Sequence, residues 1–134
     1  MQLTEHFFLE EFACKDENHT PYPVKWIKDR LMPLCTAIEK IRDLTGQPMR
    51  IVSGYRTKEY NATIPNAAEY SKHIIGIAVD LRLIGMTKIQ LYKAVLNLIS
   101  QGVIPEGGVG LYNTHVHYDI RGNKVRWNYS NWKI

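Results

Sequence analysis

The stretch SKHIIGIAVD, residues 71–80, combines the start of a strand with a His and an Asp seven positions apart. From Ile77 to Leu83 the side chains alternate, which predicts a β-strand with Asp80 on the face opposite the apolar set. His73 lies in the loop before this strand, and Gly76 lets the backbone bend close by. The stretch therefore predicts a carboxylate on a strand, with an imidazole next to it.

A second stretch, HVHYD at residues 115–119, places His115, His117 and Asp119 at every other position. On a strand all three side chains project from one face, where burial without partners would be costly. Two imidazoles and a carboxylate are the ligands that a catalytic zinc ion takes from a protein, leaving one position for water. A half-exposed polar face on an ordinary strand is the alternative interpretation of the His-x-His pair.

Helices and further strands are predicted around these two motifs. Apolar residues at steps of four and three between Ile27 and Ile41 indicate one helix, which we expect to end at Gly46. A capping box of Thr87 and Gln90 begins a second helix. We predict short strands at residues 49–53, 115–120 and 124–127, a hairpin turn at Gly122-Asn123, and a turn at residues 107–110.

These elements favour an α+β fold over residues 1–134, as a single small domain. In it a mainly antiparallel sheet carries the metal site, and two main helices pack against the sheet. Hydrophobic residues make up 45% of the chain and charged residues 22%, which is ordinary for a globular protein.

The composition also bears on location and partners. No apolar run approaches the ~20 residues of a membrane span, and the N-terminus lacks the pattern of a signal peptide. We therefore expect synthesis in the cytoplasm. The net charge of +4 arises after Asp119, because the segment beyond it contains no acidic residue and four basic ones, Arg121, Lys124, Arg126 and Lys133. This segment is either a solvated tail or a basic rim for a polyanion, and no nucleic-acid motif supports nucleic acid as that partner.

Further residues complete a pattern that resembles the M15 family of zinc peptidases. This family includes D-Ala-D-Ala carboxypeptidases and phage and bacterial enzymes that cut peptidoglycan peptides. The opening residues 3–7, with Glu11-Phe12, are similar to the start of single-domain phage members. The motifs that carry the resemblance are Ser53-Gly54-Tyr55-Arg56, Asn61, the string Ser71-x-His73-x-x-Gly76-x-Ala78-x-Asp80, and Val116-His117-x-Asp119.

The resemblance implies a zinc ion held by His73, Asp80 and His117, in a fold of the hedgehog and DD-peptidase-like superfamily. In that superfamily the second His of a His-x-His binds zinc, which leaves His115 for acid–base or transition-state support. The resemblance also implies that Arg56 stabilises the oxyanion at the scissile carbonyl.

The sequence departs from the family at one catalytic position. Many members place a Glu three residues before the last ligand His, and here Thr114 stands there. The base must be another group, and we predict Asp119 in that role; orientation of a ligand imidazole is the alternative. His115 is a further candidate for the base.

Substrate contacts are predicted from the residues around these motifs. Ser71 is expected to bind substrate or to orient a ligand. Tyr55 and Tyr112 are candidates to line the cleft, with ordinary packing as the alternative, and Trp127 is expected to pack. Residues 65–68 replace a Gly-Gly of many relatives, in a loop that we expect to shape the cleft.

We therefore expect a monomeric zinc peptidase that hydrolyses peptidoglycan peptides as a carboxypeptidase or an endopeptidase. It would act on the cell wall after release or as part of a virion, for example as a phage lysis enzyme. The alternatives are a catalytically inactive, zinc-bearing wall-binding module and a structural component of a virion.

Overall fold

The computed structural model describes residues 1–133 and contains a five-stranded sheet, a small two-stranded sheet and three α-helices. The elements in chain order are β1 (Gln2–Thr4), β2 (Phe7–Phe8), α1 (Met32–Thr45), β3 (Met49–Ser53), α2 (Lys58–Thr63), β4 (Ala78–Leu83), α3 (Lys88–Ser100), β5 (Gly108–Leu111), β6 (Val116–Asp119) and β7 (Val125–Asn128). Within these residues no helix combines the length and the apolarity that a membrane span requires.

The large sheet has the strand order β3-β4-β6-β5-β7. Its neighbours pair antiparallel except for β5 and β7, which are parallel. The predicted α+β class with a mainly antiparallel sheet is therefore confirmed.

Both main helices form where the sequence predicted them. The first begins with a π-helical turn at Ile27–Leu31 and continues as α1, which ends before Gly46. The capping box that begins α3 is present, because the Gln90 backbone N–H donates to Thr87 Oγ1 at 3.1 Å and the Thr87 N–H donates to Gln90 Oε1 at 2.9 Å. Leu34, Ile38 and Ile41 are buried in the core.

Strand alternation separates the core from the site. Val79 and Leu81 on β4, with Val116 and Tyr118 on β6, are fully buried in the hydrophobic core. The intervening side chains project from the opposite face of the sheet. The two-residue period thus places the polar side chains of β4 and β6 together on the face away from the core.

Two predictions for the C-terminal third are wrong. The glycine run predicted as a turn is mostly strand β5, and Gly122-Asn123 does not join β6 to an antiparallel partner. Instead β7 pairs in parallel with β5, in the register that sets Trp127 beside Gly110. A side chain at Gly110 would collide with the Trp127 ring, so the absence of a Cβ there allows this pairing.

Candidate metal centre and its cleft

Three donor atoms converge between β4, β6 and the loop before β4. Asp80 and His117 are direct cross-strand partners, and Asp80 Oδ1 lies 3.3 Å from His117 Nδ1. His73 Nε2 lies 3.1 Å from the same oxygen. All three side chains are buried, and their ligand atoms lie within 4.8 Å of one another. The group has the size and the composition of a metal site.

The far nitrogen of each imidazole already has an acceptor. His73 Nδ1 donates to the Gly54 carbonyl at 2.7 Å, and His117 Nε2 donates to Asp119 Oδ2 at 2.7 Å. In the neutral rings the lone pairs of His73 Nε2 and His117 Nδ1 therefore both face a carboxylate oxygen, which can only accept. A proton or a cation must lie between these three acceptors, and the arrangement therefore fits a divalent metal ion.

The charges of the group are consistent with that fit. Burial would raise the pKa of Asp80, but the two imidazoles outweigh it and hold that pKa well below its usual range. Burial lowers the pKa of His73 and favours the neutral ring. Burial also acts to lower the pKa of His117, but its hydrogen bonds to Asp119 and Asp80 prevail and raise it. The proton that this favours lies on Nδ1 toward Asp80 Oδ1, which is the position that a bound cation would take. The carboxylate is thus ionised, as a metal ligand must be.

Arg56 lies against the same carboxylate. Its Nη2 donates to Asp80 Oδ2 at 3.0 Å, while Nε donates to Ser53 Oγ at 3.1 Å and Nη1 to Asn61 Oδ1 at 3.2 Å. The guanidinium therefore occupies the outer oxygen of Asp80 and leaves Oδ1 to the metal group.

Asp119 is completely buried and does not line the cleft. Its Oδ2 accepts from His117 Nε2 and from Arg121 Nη2, each at 2.7 Å. Its Oδ1 accepts from the backbone N–H groups of Gly108 and Arg121 and from Arg121 Nε. Burial would raise the pKa of Asp119, but the hydrogen bonds from His117 and Arg121 outweigh burial and lower it. Of its two predicted roles, this geometry supports orientation of an imidazole, since no oxygen faces the cleft.

His115 precedes β6 and lines the cleft beside the metal group. Its Nε2 lies 3.6 Å from Asp80 Oδ2, and its Nδ1 lies 2.8 Å from Thr114 Oγ1. The Tyr112 ring stacks on the imidazole with centroids 4.4 Å apart. Burial lowers the pKa of His115 and favours a neutral ring, which has a free lone pair.

A cleft of about 1130 Å³ opens over this group. One side is formed by the loop segment 64–72, and the other by aromatic and polar side chains that include Tyr112, Arg121, Trp127 and Tyr129. Ser71 lines the loop side, where its hydroxyl accepts from the His73 backbone N–H at 3.2 Å.

A comparison with protein families matches the model described as Peptidase M15 to residues 5–119. The match covers most of the chain. The chain belongs to the peptidase M15 family. Neither a curated protein nor a solved structure matches the chain. M15 proteins are metallopeptidases that typically use zinc, and the buried His-Asp-His group could hold such a metal.

Two aromatic residues of this M15 chain are placed by the structure relative to the cleft, and Tyr55 follows the packing alternative. Tyr55 does not line the cleft; its ring packs edge-on against Tyr22 and Trp26, at centroid distances of 6.0 and 6.1 Å. Trp127, predicted only to pack, lies 4.9 Å from the His117 ring and lines the cleft, and its Nε1 donates to the Tyr112 hydroxyl at 2.9 Å. Tyr55 therefore packs with Tyr22 and Trp26 away from the cleft, whereas Trp127 contacts the site.

Arg121 was missed as a site residue, because its sequence context is that of an ordinary basic tail. One signal was available: Arg121 continues the every-second-residue spacing of His117 and Asp119. Both Arg121 and Trp127 lie beyond the segment that matches the M15 model.

Proposed function

We propose that this M15 peptidase is zinc-dependent and hydrolyses peptide bonds of bacterial peptidoglycan. The observation that carries the proposal is the convergence of two imidazole lone pairs on a carboxylate oxygen, beside an open cleft. The choice of substrate is supported by the resemblance of the Ser71–Asp80 and Ser53–Arg56 motifs to peptidoglycan peptidases.

Zinc would be held by His73 Nε2, Asp80 Oδ1 and His117 Nδ1. When bound, zinc supplies a water nucleophile whose pKa is near 7 and polarises the scissile carbonyl. The protein holds the three donors in place through Gly54, Arg56 and Asp119, each of which contacts one ligand on the side away from the metal group.

Arg56 has a second role toward the substrate. A guanidinium carries five N–H donors, and the contacts with Ser53, Asn61 and Asp80 use three of them. Because Arg56 lines the cleft, the remaining N–H groups can donate to the carbonyl oxygen as negative charge develops there.

His115 is the group that we assign to proton transfer. Its Nε2 faces the metal group from the cleft, so it can accept a proton from the nucleophile and return it to the leaving amine. The other ring nitrogen, Nδ1, forms a hydrogen bond with Thr114 Oγ1. The residue that replaces the usual Glu thus orients an alternative base, and Asp119 acts by orienting His117.

A zinc-bearing wall-binding module without catalysis is the second candidate, and the replacement of the usual Glu by Thr114 favours it. Digestion of purified peptidoglycan by the zinc-loaded protein separates the two, with the products identified by mass spectrometry of the released muropeptides. We expect new peptide ends that disappear with a chelator and return with added zinc. Sedimentation with intact sacculi but no new ends would support the binding module and contradict the enzyme.

A further inference from the structure

Arg121 forms a two-pronged ion pair with Asp119 without touching the metal group. Its Nε and Nη2 approach the two oxygens of Asp119 at 2.9 and 2.7 Å, and its backbone N–H adds a third contact at 3.1 Å. Two parallel guanidinium bonds fix the plane of a carboxylate as well as its position. The plane of the Asp119 carboxylate is therefore set by Arg121.

That carboxylate determines which nitrogen of His117 carries the hydrogen. Asp119 Oδ2 accepts from Nε2, so the opposite nitrogen presents its lone pair to the metal group. The chain Arg121–Asp119–His117 thus runs from the cleft to a ligand atom. A partner that orients a ligating imidazole typically affects metal affinity as well as position.

Gly108 and Trp127 pack against this series of hydrogen-bonded side chains on opposite sides. Gly108 donates its backbone N–H to Asp119 Oδ1 at 2.9 Å, and a side chain at that position would collide with both Asp119 and Arg121. On the cleft side the Trp127 ring lies 5.8 Å from the Arg121 guanidinium and 4.9 Å from the His117 ring. Arg121 is therefore confined between a glycine and an aromatic ring.

We propose that Arg121 is a positioning residue that sets the metal affinity of the site by locking Asp119 against His117. The inference rests on the zinc site of the proposed function, but concerns a residue outside the segment that matches the family. It requires that loss of the guanidinium weakens zinc binding even though Arg121 is not a ligand.

Arg126 offers a matched control. Its side chain is 20% exposed, as is that of Arg121, and each forms an ion pair at 2.7 Å. Arg126 pairs with Glu106, which contacts none of the metal-group residues. The change to Ala at either position thus removes a similar guanidinium, but only one of the two is connected to an imidazole.

The test is a zinc dissociation constant measured by chelator competition, on variants first shown to be folded by circular dichroism. We expect Arg121→Ala to weaken zinc binding roughly 10–100-fold, Arg121→Lys to weaken it less, and Arg126→Ala to leave it unchanged. If Arg121→Ala does not fold, the milder Arg121→Lys decides. The double variant Arg121→Ala with Asp119→Asn should lose no more affinity than Asp119→Asn alone.

Equal zinc affinity in wild type and in the folded Arg121 variant would overturn the inference, as would full additivity with Asp119→Asn. Failure of the proposed function has a different signature, because the wild type itself would then bind no zinc or release no muropeptide ends.

Discussion

The two sides of the cleft are built differently. We call the residues on and next to strands β4, β5 and β6 the strand side, and the segment 64–72 the loop side. On the strand side Asp80, His117 and Asp119 are buried, and each carboxylate oxygen accepts a hydrogen bond except Asp80 Oδ1, which faces the two ligand nitrogens. On the loop side the Tyr70 side chain is 82% exposed, and within residues 1–133 the Lys72 ammonium has no hydrogen-bond or ion-pair partner.

This difference has an energetic cause and a functional consequence. A buried charge without a partner costs several kcal/mol, roughly, so the strand side tolerates few changes. An exposed side chain on a loop can change at little cost in stability. We therefore expect the strand side to set metal binding and chemistry, and the loop side to set substrate preference.

The largest effect should follow from loss of a ligand on the strand side. His117→Ala removes one of three donors, so we expect loss of stoichiometric zinc and of all peptidase activity. Metal analysis by mass spectrometry checks this, with the exposed His19→Ala as the control. Zinc retained at one equivalent in the His117 variant would show that the metal group is wrongly assigned.

The next effect should separate chemistry from metal binding. His115→Gln keeps the cleft filled but removes the group that exchanges the proton, so turnover should fall about 10²–10⁴-fold. Zinc content should stay at the wild-type level, since His115 is not in the donor group. A rate near that of the wild type would exclude His115 as the acid–base group.

Asp119→Asn distinguishes the two roles predicted for that residue. As the partner of His117, its loss should weaken zinc binding roughly 10–100-fold. Once excess zinc restores loading, much of the turnover should return. If the variant instead binds zinc as tightly as the wild type but has lost turnover, Asp119 is the general base and its burial has been misinterpreted.

The smallest effect should come from the loop side. Lys72→Gln removes a half-buried cation from the cleft, so KM for a peptide with a free carboxylate should rise about two- to fivefold, as one solvent-accessible ion pair of up to ~1 kcal/mol allows. Zinc affinity and kcat should not change. Lys93→Gln, on the exposed face of α3, serves as the control. A loss of zinc in the Lys72 variant would contradict the division between the two sides.

The candidate metal group was predictable because its information is local. Asp80 and His117 lie on strands whose alternation is visible in the sequence, and the family motif adds His73. The face of each side chain follows from a period of two, whatever the partner strand. The same holds for α1 and α3, whose stripes and caps lie within a few residues of one another.

The interactions that surround the group could not be predicted, because they depend on contacts distant in sequence. Tyr55 belongs to a specific motif, yet its ring turns to Tyr22 and Trp26 instead of the cleft. Asp119 has the spacing of a catalytic group, yet Gly108 and Arg121 surround its carboxylate. Burial and hydrogen bonding depend on which segments meet, and the spacing of residues does not encode that.

The amino-acid sequence by itself determined the α+β class, the two main helices and the strands that carry the polar side chains, because periodicity and caps are local properties of the chain. The ligand set of His73, Asp80 and His117 came from the resemblance of its motifs to the family. The tertiary structure alone decided that β7 pairs in parallel with β5 and that Trp127 lies over Gly110 beside His117. It also decided that Arg121 pairs with Asp119. Strands and ion pairs join residues that are distant in sequence. Their partners therefore depend on which strand edges and charged groups remain unpaired once the core is packed.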